Sequence, residues 1–226
     1  MITKLSVEQT IAIMHRLADL VNQATDELGS LDAILGDGDL GISMGKGFGA
    51  IRKTLEQVDS AKETPGSVLA LAGTTLASAA PSTLGTLLGW GFLKAGNRVK
   101  DVPELNLENL AASCRTMVDT ISLLGHARMG DKTILDALSA GADALDAAAK
   151  QGDSLAQACH FARAAAWEGF RNTIHLQAKQ GRAGRYFERS VGHEDAGALM
   201  GALIFEAFSQ GIDGFGATSA ASSPSE

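Results

Sequence analysis

The stretch Leu31-Asp32-Ala33-Ile34-Leu35-Gly36-Asp37-Gly38-Asp39-Leu40-Gly41 carries three carboxylates within eight residues. Gly36, Gly38 and Gly41 free the backbone to turn, so Asp32, Asp37 and Asp39 can converge on one point, where their mutual repulsion calls for a cation. Oxygen ligands alone suit Mg²⁺, which keeps waters and prefers a couple of carboxylates plus substrate phosphates to a full protein cage. A helix is expected to begin near Gly41, so its free N–H groups and positive dipole end would face a phosphate held by that metal. The competing reading is that Asp37 or Asp39 only caps the helix, a contact typically worth about 1 kcal/mol. Spacing alone leaves both open. An EF-hand is disfavoured, because the D-x-D-x-D-G register and the closing Glu are missing.

Three other segments offer polar chemistry. Ala80-Pro81-Ser82-Thr83-Leu84-Gly85-Thr86 supplies hydroxyls and N–H groups suited to phosphate oxygens, although a plain helix corner has the same composition. Gly125-His126-Ala127-Arg128-Met129-Gly130-Asp131-Lys132-Thr133 reads as a turn opening a helix with Asp131 as N-cap, or as a nucleotide contact. The segment from Gly181 to Ala198 holds Arg182, Arg185 and Arg189, whose planar forks suit phosphate and whose alternative is a solvated loop of weak ion pairs. His193 beside Glu194 and Asp195 is read as a hydrogen-bonded structural residue rather than a metal ligand. Neither a Walker A loop nor a dinucleotide fingerprint occurs: Gly45-Lys46-Gly47 lacks the Ser or Thr and the upstream Gly of the former.

These loops must be held by helices. Val7, Ile11, Met14, Leu17, Ala18 and Val21 repeat at three and four, the stripe of an amphipathic helix, and strand patterns are almost absent. Gly, Pro, Asp and Asn clusters divide the chain into eight expected helices, near 7–28, 42–58, 67–80, 83–97, 107–124, 132–149, 153–178 and 195–210. Short connections favour an antiparallel up-and-down bundle or closed barrel. Residues 1–210 form the expected domain, and 211–226, poor in bulky apolar residues, a flexible tail.

Bulk properties narrow the class. With 226 residues the chain can bury a real core, and a formal charge of −7 argues against nucleic-acid binding. Cys114 and Cys159 have no metal-type spacing and read as reduced core thiols. The N-terminus lacks a secretory pattern, which makes the cytoplasm the expected compartment. Gly66 to Leu93 carries no charge, about the length of a bilayer span, but its Gly, Ala, Ser and Thr content and Pro81 point to two buried helices instead.

Leu-Gly-Asp-Gly-Asp-Leu-Gly, Gly-Asp-Lys-Thr-Ile-Leu-Asp, and Gly-Arg-Ala followed by Glu-Arg-Ser-Val-Gly-His-Glu-Asp-Ala-Gly-Ala together resemble the DhaL subunit, or L domain, of dihydroxyacetone kinases, from about Val7 to Phe208. The resemblance implies an all-α fold, an eight-helix antiparallel barrel with nucleotide held by loops at one end. It implies Asp32, Asp37 and Asp39 as ligands of Mg²⁺, two ions in all, with ADP or ATP contacted by Leu40, Gly41, Ile42, Ser43, Thr83, Leu84, Gly125, Ile134, Arg182, Asp195, Ala196 and Gly197. Arg182 would join the three acids in phosphoryl transfer. A separate DhaK-like subunit or domain would bind the keto-sugar, and a phosphotransferase-system protein of the DhaM type is the phosphoryl donor in some systems. The chain departs from the pattern at Leu40, where many members have His, and at Pro81 to Gly85, where they have Gly-Gly-Ala-Ser-Gly, so Ser82 or Thr83 stands in for the usual serine. Two other classes remain beside the kinase subunit: a regulatory module that senses nucleotide without transferring phosphate, and a nucleotide-free helical interaction protein in which every Asp is a cap.

Overall fold

The computed structural model describes residues 2–221, with side chains to Gly216, and every regular element among them is helical. Ser6 starts α1 (Val7–Gln23) with a reciprocal capping box to Gln9, and the stripe through Ile13, Met14, Leu17 and Val21 turns into the core. The chain then breaks at Ala24 and restarts as α2 (Thr25–Leu35), so the single helix expected over 7–28 is two, the second reaching past Asp32. No Gly or Pro marks that break. There follow α3 (Leu40–Leu55), α4 (Pro65–Ala79), α5 (Thr83–Arg98), α6 (Leu107–Gly125), α7 (Ile134–Gln151), α8 (Leu155–Asn172) and α9 (Ala196–Ala221). Local chemistry starts most of them: Thr64 and Pro65 on α4, Ser82 on α5, Asn106 on α6, Ser154 and Gln157 on α8.

Two further boundaries differ from the sequence reading. The helix expected to reach 178 ends at Asn172, where a short 3-10 turn, Thr173–His175, begins a long irregular connection. The last helix runs to Ala221 instead of stopping near 210; Ile212, within the expected tail, is 3 % exposed, and residues 222–226 lie outside those described.

Each helix packs on its neighbour, α1 on α3 and then in sequence from α3 to α9, and α9 returns to α1, closing a ring. Against this ring α2 lies on α3 and α9. From Ala198 to Ser209 every residue of α9 is buried, which is why that helix reads as apolar on all sides. The charge-free stretch is the α4–α5 hairpin. A Cβ on Gly73 would lie 2.4 Å from the Leu93 nitrogen, and one on Gly96 equally close to that of Ala70, so small residues let the two backbones approach. Among the described residues no helix is long and apolar enough to cross a membrane. Both cysteines are free, and burial pushes their thiols up, Cys114 to about 12, which disfavours the thiolate form.

Candidate functional site

The turn between α2 and α3 gathers the acids. Asp32 projects from the last turn of α2, Asp37 and Asp39 from the connection, and one oxygen from each lies within 4.8 Å of the others, the only such group among the described residues. Gly36 makes room: a Cβ there would meet Asp32 Oδ1 at 2.3 Å. Gly38 turns the chain at φ +77°. Asp39 occupies the N-cap position of α3, yet its side chain makes no capping bond. Instead the Leu40 N–H donates to Asp32 Oδ2 at 3.3 Å, so the capping reading does not account for Asp37 or Asp39.

Two helix N-termini meet beside this cluster. Ser82 caps α5 by accepting from the Gly85 N–H at 3.1 Å, and the Ser43 hydroxyl of α3 donates to Ser82 Oγ at 3.0 Å. With those bonds made, and with Ser43 and Thr86 bonded back to Asp39 and Ser82, the N–H groups of Gly41 and Ile42 on α3 and of Thr83 and Leu84 on α5 have no protein acceptor among the described residues. These are four donors at positive dipole ends, next to three carboxylates, an arrangement whose chemistry suits an anion and a cation side by side. The close approach of α3 to α2 depends on Gly41, where a Cβ would meet the Thr25 carbonyl oxygen at 2.0 Å.

The connection from α8 to α9 lies over this end. Arg182 forms an ion pair with Asp37 across the sequence, Gln180 donates to the His126 carbonyl at 2.9 Å, and Lys179 reaches Asp131 Oδ1 at 2.9 Å. Arg185 and Arg189 are exposed and form no ion pair among the described residues, so only one of the three arginines reaches the acids. Gly197 packs against Ile134, where its Cβ would lie 3.2 Å from the Ile134 nitrogen, and Asp195 caps α9 by accepting from Ala198 at 2.7 Å. Ile134, Asp195, Ala196 and Gly197 thus form a second group, linked to the acids through the connection that carries Arg182. Gly125 lies at the end of α6 and faces Leu87 of α5.

The turn before α7 corrects one expectation. Its N-cap is Thr133, in a capping box with Asp136, and not Asp131. Burial pushes the Asp131 carboxyl up, but the Lys179 ammonium and the Arg128 N–H outweigh it, so the group ends below its usual range. Burial dominates at Asp136 and Asp195 and raises both, Asp195 to about 7. Sequence reading also passed over Lys132, a buried side chain bonded to the α8–α9 connection, because a lysine in a polar turn carries no signal of burial.

The DAK2 domain family matches residues 34–210, most of the chain. The chain belongs to the DAK2 domain family. It is 32 % identical to the "PEP-dependent dihydroxyacetone kinase, ADP-binding subunit DhaL" of Escherichia coli K12, over 86 % of this chain and 91 % of that one. It is 38 % identical to the "D-erythrulose kinase" of Mycolicibacterium smegmatis over 83 % of this chain, but it spans only 32 % of that longer protein. The dihydroxyacetone kinase of C. freundii, solved with AMP-PNP and Mg²⁺, shares the fold with a TM-score of 0.69 over 89 % of this chain and 33 % of that one, at 24 % identity. Members of the DAK2 family therefore occur both as a subunit and within longer kinase chains.

Proposed function

We propose that this chain is the nucleotide-carrying part of a kinase for dihydroxyacetone or a related small keto-sugar, passing a phosphoryl group to a ketose presented by a DhaK-like partner. The observation that carries the reading is the convergence of Asp32, Asp37 and Asp39 beside two helix N-termini that hold unbonded N–H groups. That donor set suits hard divalent cations and a polyphosphate together, and Asp39 is free of the capping duty that would explain it otherwise.

In this reading Asp32, Asp37 and Asp39 hold Mg²⁺, two ions in all, which would neutralise phosphate charge when bound. Gly41 and Ile42, with Ser43 beside them, and Ser82, Thr83 and Leu84 cradle the phosphates of ADP or ATP through backbone N–H groups and hydroxyls. Gly125, Ile134 and Asp195 to Gly197 contact the rest of the nucleotide. Arg182 exchanges its pairing with Asp37 for a phosphate oxygen, which keeps positive charge where negative charge builds during transfer. Such chemistry needs positioning and electrostatics rather than a protein nucleophile, in keeping with a site that holds no cysteine or serine–histidine pair. The relatives' names cover both erythrulose and dihydroxyacetone, and one of those kinases is named PEP-dependent, so the phosphoryl source is either ATP or a DhaM-like protein of the phosphotransferase system.

The test combines the purified chain with a DhaK-like protein from the same genome and follows phosphorylation of dihydroxyacetone, D-erythrulose and L-erythrulose, with ATP or a phosphorylated phosphotransferase protein as donor. Transfer that requires both proteins and Mg²⁺ is expected. Tight Mg-ADP binding with no transfer to any ketose under either donor would replace the kinase with a nucleotide-sensing regulator.

A further inference from the structure

Lys132 lies in the turn before α7 with its side chain 1 % exposed, and its backbone sits at φ +60°, a region a lysine rarely adopts. Its ammonium donates to the carbonyl oxygens of Ser190 at 2.7 Å, Thr173 at 2.8 Å and Leu176 at 3.2 Å, and to that of His193. Four backbone carbonyls thus turn toward one cationic centre, as they would toward a bound alkali ion, and no carboxylate is among its hydrogen-bond partners. Burial lowers the lysine's pKa, opposed by the charges of Asp195 and Asp136. Placing a charge there is costly, and the bonds to those carbonyls, which would otherwise lose this donor, offset that cost, so the use of the ammonium lies in what it joins.

It joins the two ends of one excursion. Thr173 and Leu176 stand where α8 finishes, Ser190 and His193 just before α9 begins, and Arg182 lies between them. The same neck is closed by the Gly192 N–H to the Ile174 carbonyl at 2.7 Å and the Ala178 N–H to Ser190 Oγ at 2.8 Å. Thr173 and Ser190 are fully buried, whereas Arg182, Arg185 and Arg189 are exposed, so the neck is rigid and the tip is solvated. We infer that Lys132 is a positioning residue: its ammonium pins both ends of the 173–193 excursion and thereby sets Arg182 over Asp37. The consequence for nucleotide binding rests on the proposed role of Arg182; the pin itself does not.

The experiment reads the two separately. Trypsin cleavage after Arg182, Arg185 and Arg189 reports the order of the excursion, and calorimetry reports Mg-ADP affinity. Lys132→Met is expected to be cut there about tenfold faster and to bind Mg-ADP about tenfold more weakly, the size expected for losing a charged hydrogen-bond centre. Lys132→Ala is expected to behave alike and to recover both properties in methylammonium chloride, which refills the carbonyl cage, but not in choline chloride at the same ionic strength. Recovery by a small cation is something a merely lost packing contact would not show. Unchanged cleavage in Lys132→Met, or equal recovery in choline, overturns the pin; faster cleavage with unchanged Mg-ADP affinity overturns the positioning of Arg182. A wild-type chain that binds no Mg-ADP defeats the proposed function, and the cleavage arms still decide the pin. Should both variants fail to fold, Lys132→Gln, which keeps an N–H donor and most of the side-chain length but not the ammonium, replaces them, and wild-type cleavage and affinity in that variant would overturn the inference.

Discussion

Replacing Asp37 with Asn should make the ligand-free protein more stable and the liganded protein less so. Oxygens of Asp32, Asp37 and Asp39 lie within 4.8 Å of one another, and a like-charged pair at that separation repels by about 1 kcal/mol in bulk water. The water value applies because Asp37 and Asp39 are exposed. Neutralising Asp37 removes two such repulsions, roughly 2 kcal/mol, and loses its pair with Arg182, an exposed contact worth about 0–1 kcal/mol. The net gain is about 1 kcal/mol, which for a chain of this size raises Tm by about 2–4 °C at low salt. Mg-ADP at a hundred times its Kd stabilises the wild type by about 2.7 kcal/mol, or about 5–10 °C, and the variant should lose most of that shift. Thermal melts of both proteins, with and without Mg-ADP, should therefore cross in order. If Asp37→Asn melts lower than wild type without ligand and keeps the full Mg-ADP shift, Asp37 is a structural residue and the metal reading fails.

Two more outcomes follow from the same structure. Burial raises the Asp195 carboxyl in the folded protein to about 7 from 3.8, so its contribution to stability is complete below about 3.8 and is lost as pH rises toward about 7. Subtracting the Tm-against-pH profile of Asp195→Asn, which keeps the cap on α9, from that of wild type should expose this decline; parallel profiles would contradict it. At Gly41 a Cβ would meet the Thr25 carbonyl oxygen at 2.0 Å, while at Gly49 in the same helix it would meet nothing within 4 Å. Urea titration should show Gly41→Ala losing about 1–3 kcal/mol and Gly49→Ala gaining up to about 1 kcal/mol, and equal effects would rule out the close α2–α3 approach.

What could be read ahead of the structure was local. Ser6 with Gln9, Thr64 with Pro65, and Ser154 with Gln157 start helices through contacts a few residues long, so residue type and spacing suffice to place them. The Asp-rich turn was legible for the same reason, since glycines and carboxylates close in sequence are close in space. The break at Ala24 was not legible: apolar periodicity continues through Leu28, and the chain turns because α2 must pack on both α3 and α9. The extension of α9 beyond 210 has the same origin, because burial of Ile212 depends on the neighbours that receive it.

By itself the sequence determined an all-helical chain, its main turns and an acidic loop suited to a hard cation. Tertiary structure alone decided how distant polar residues pair. Residue types favoured none of the three arginines and the family resemblance pointed to Arg182; the fold brings Arg182 to Asp37, Ser43 to Ser82, and Lys132 into a buried cross-link. These pairs are remote along the chain, and a charged or hydroxyl side chain bears no mark of its distant partner. Helix periodicity is a property of neighbours in sequence, whereas the pairing of charges depends on how packed helices bring their ends together.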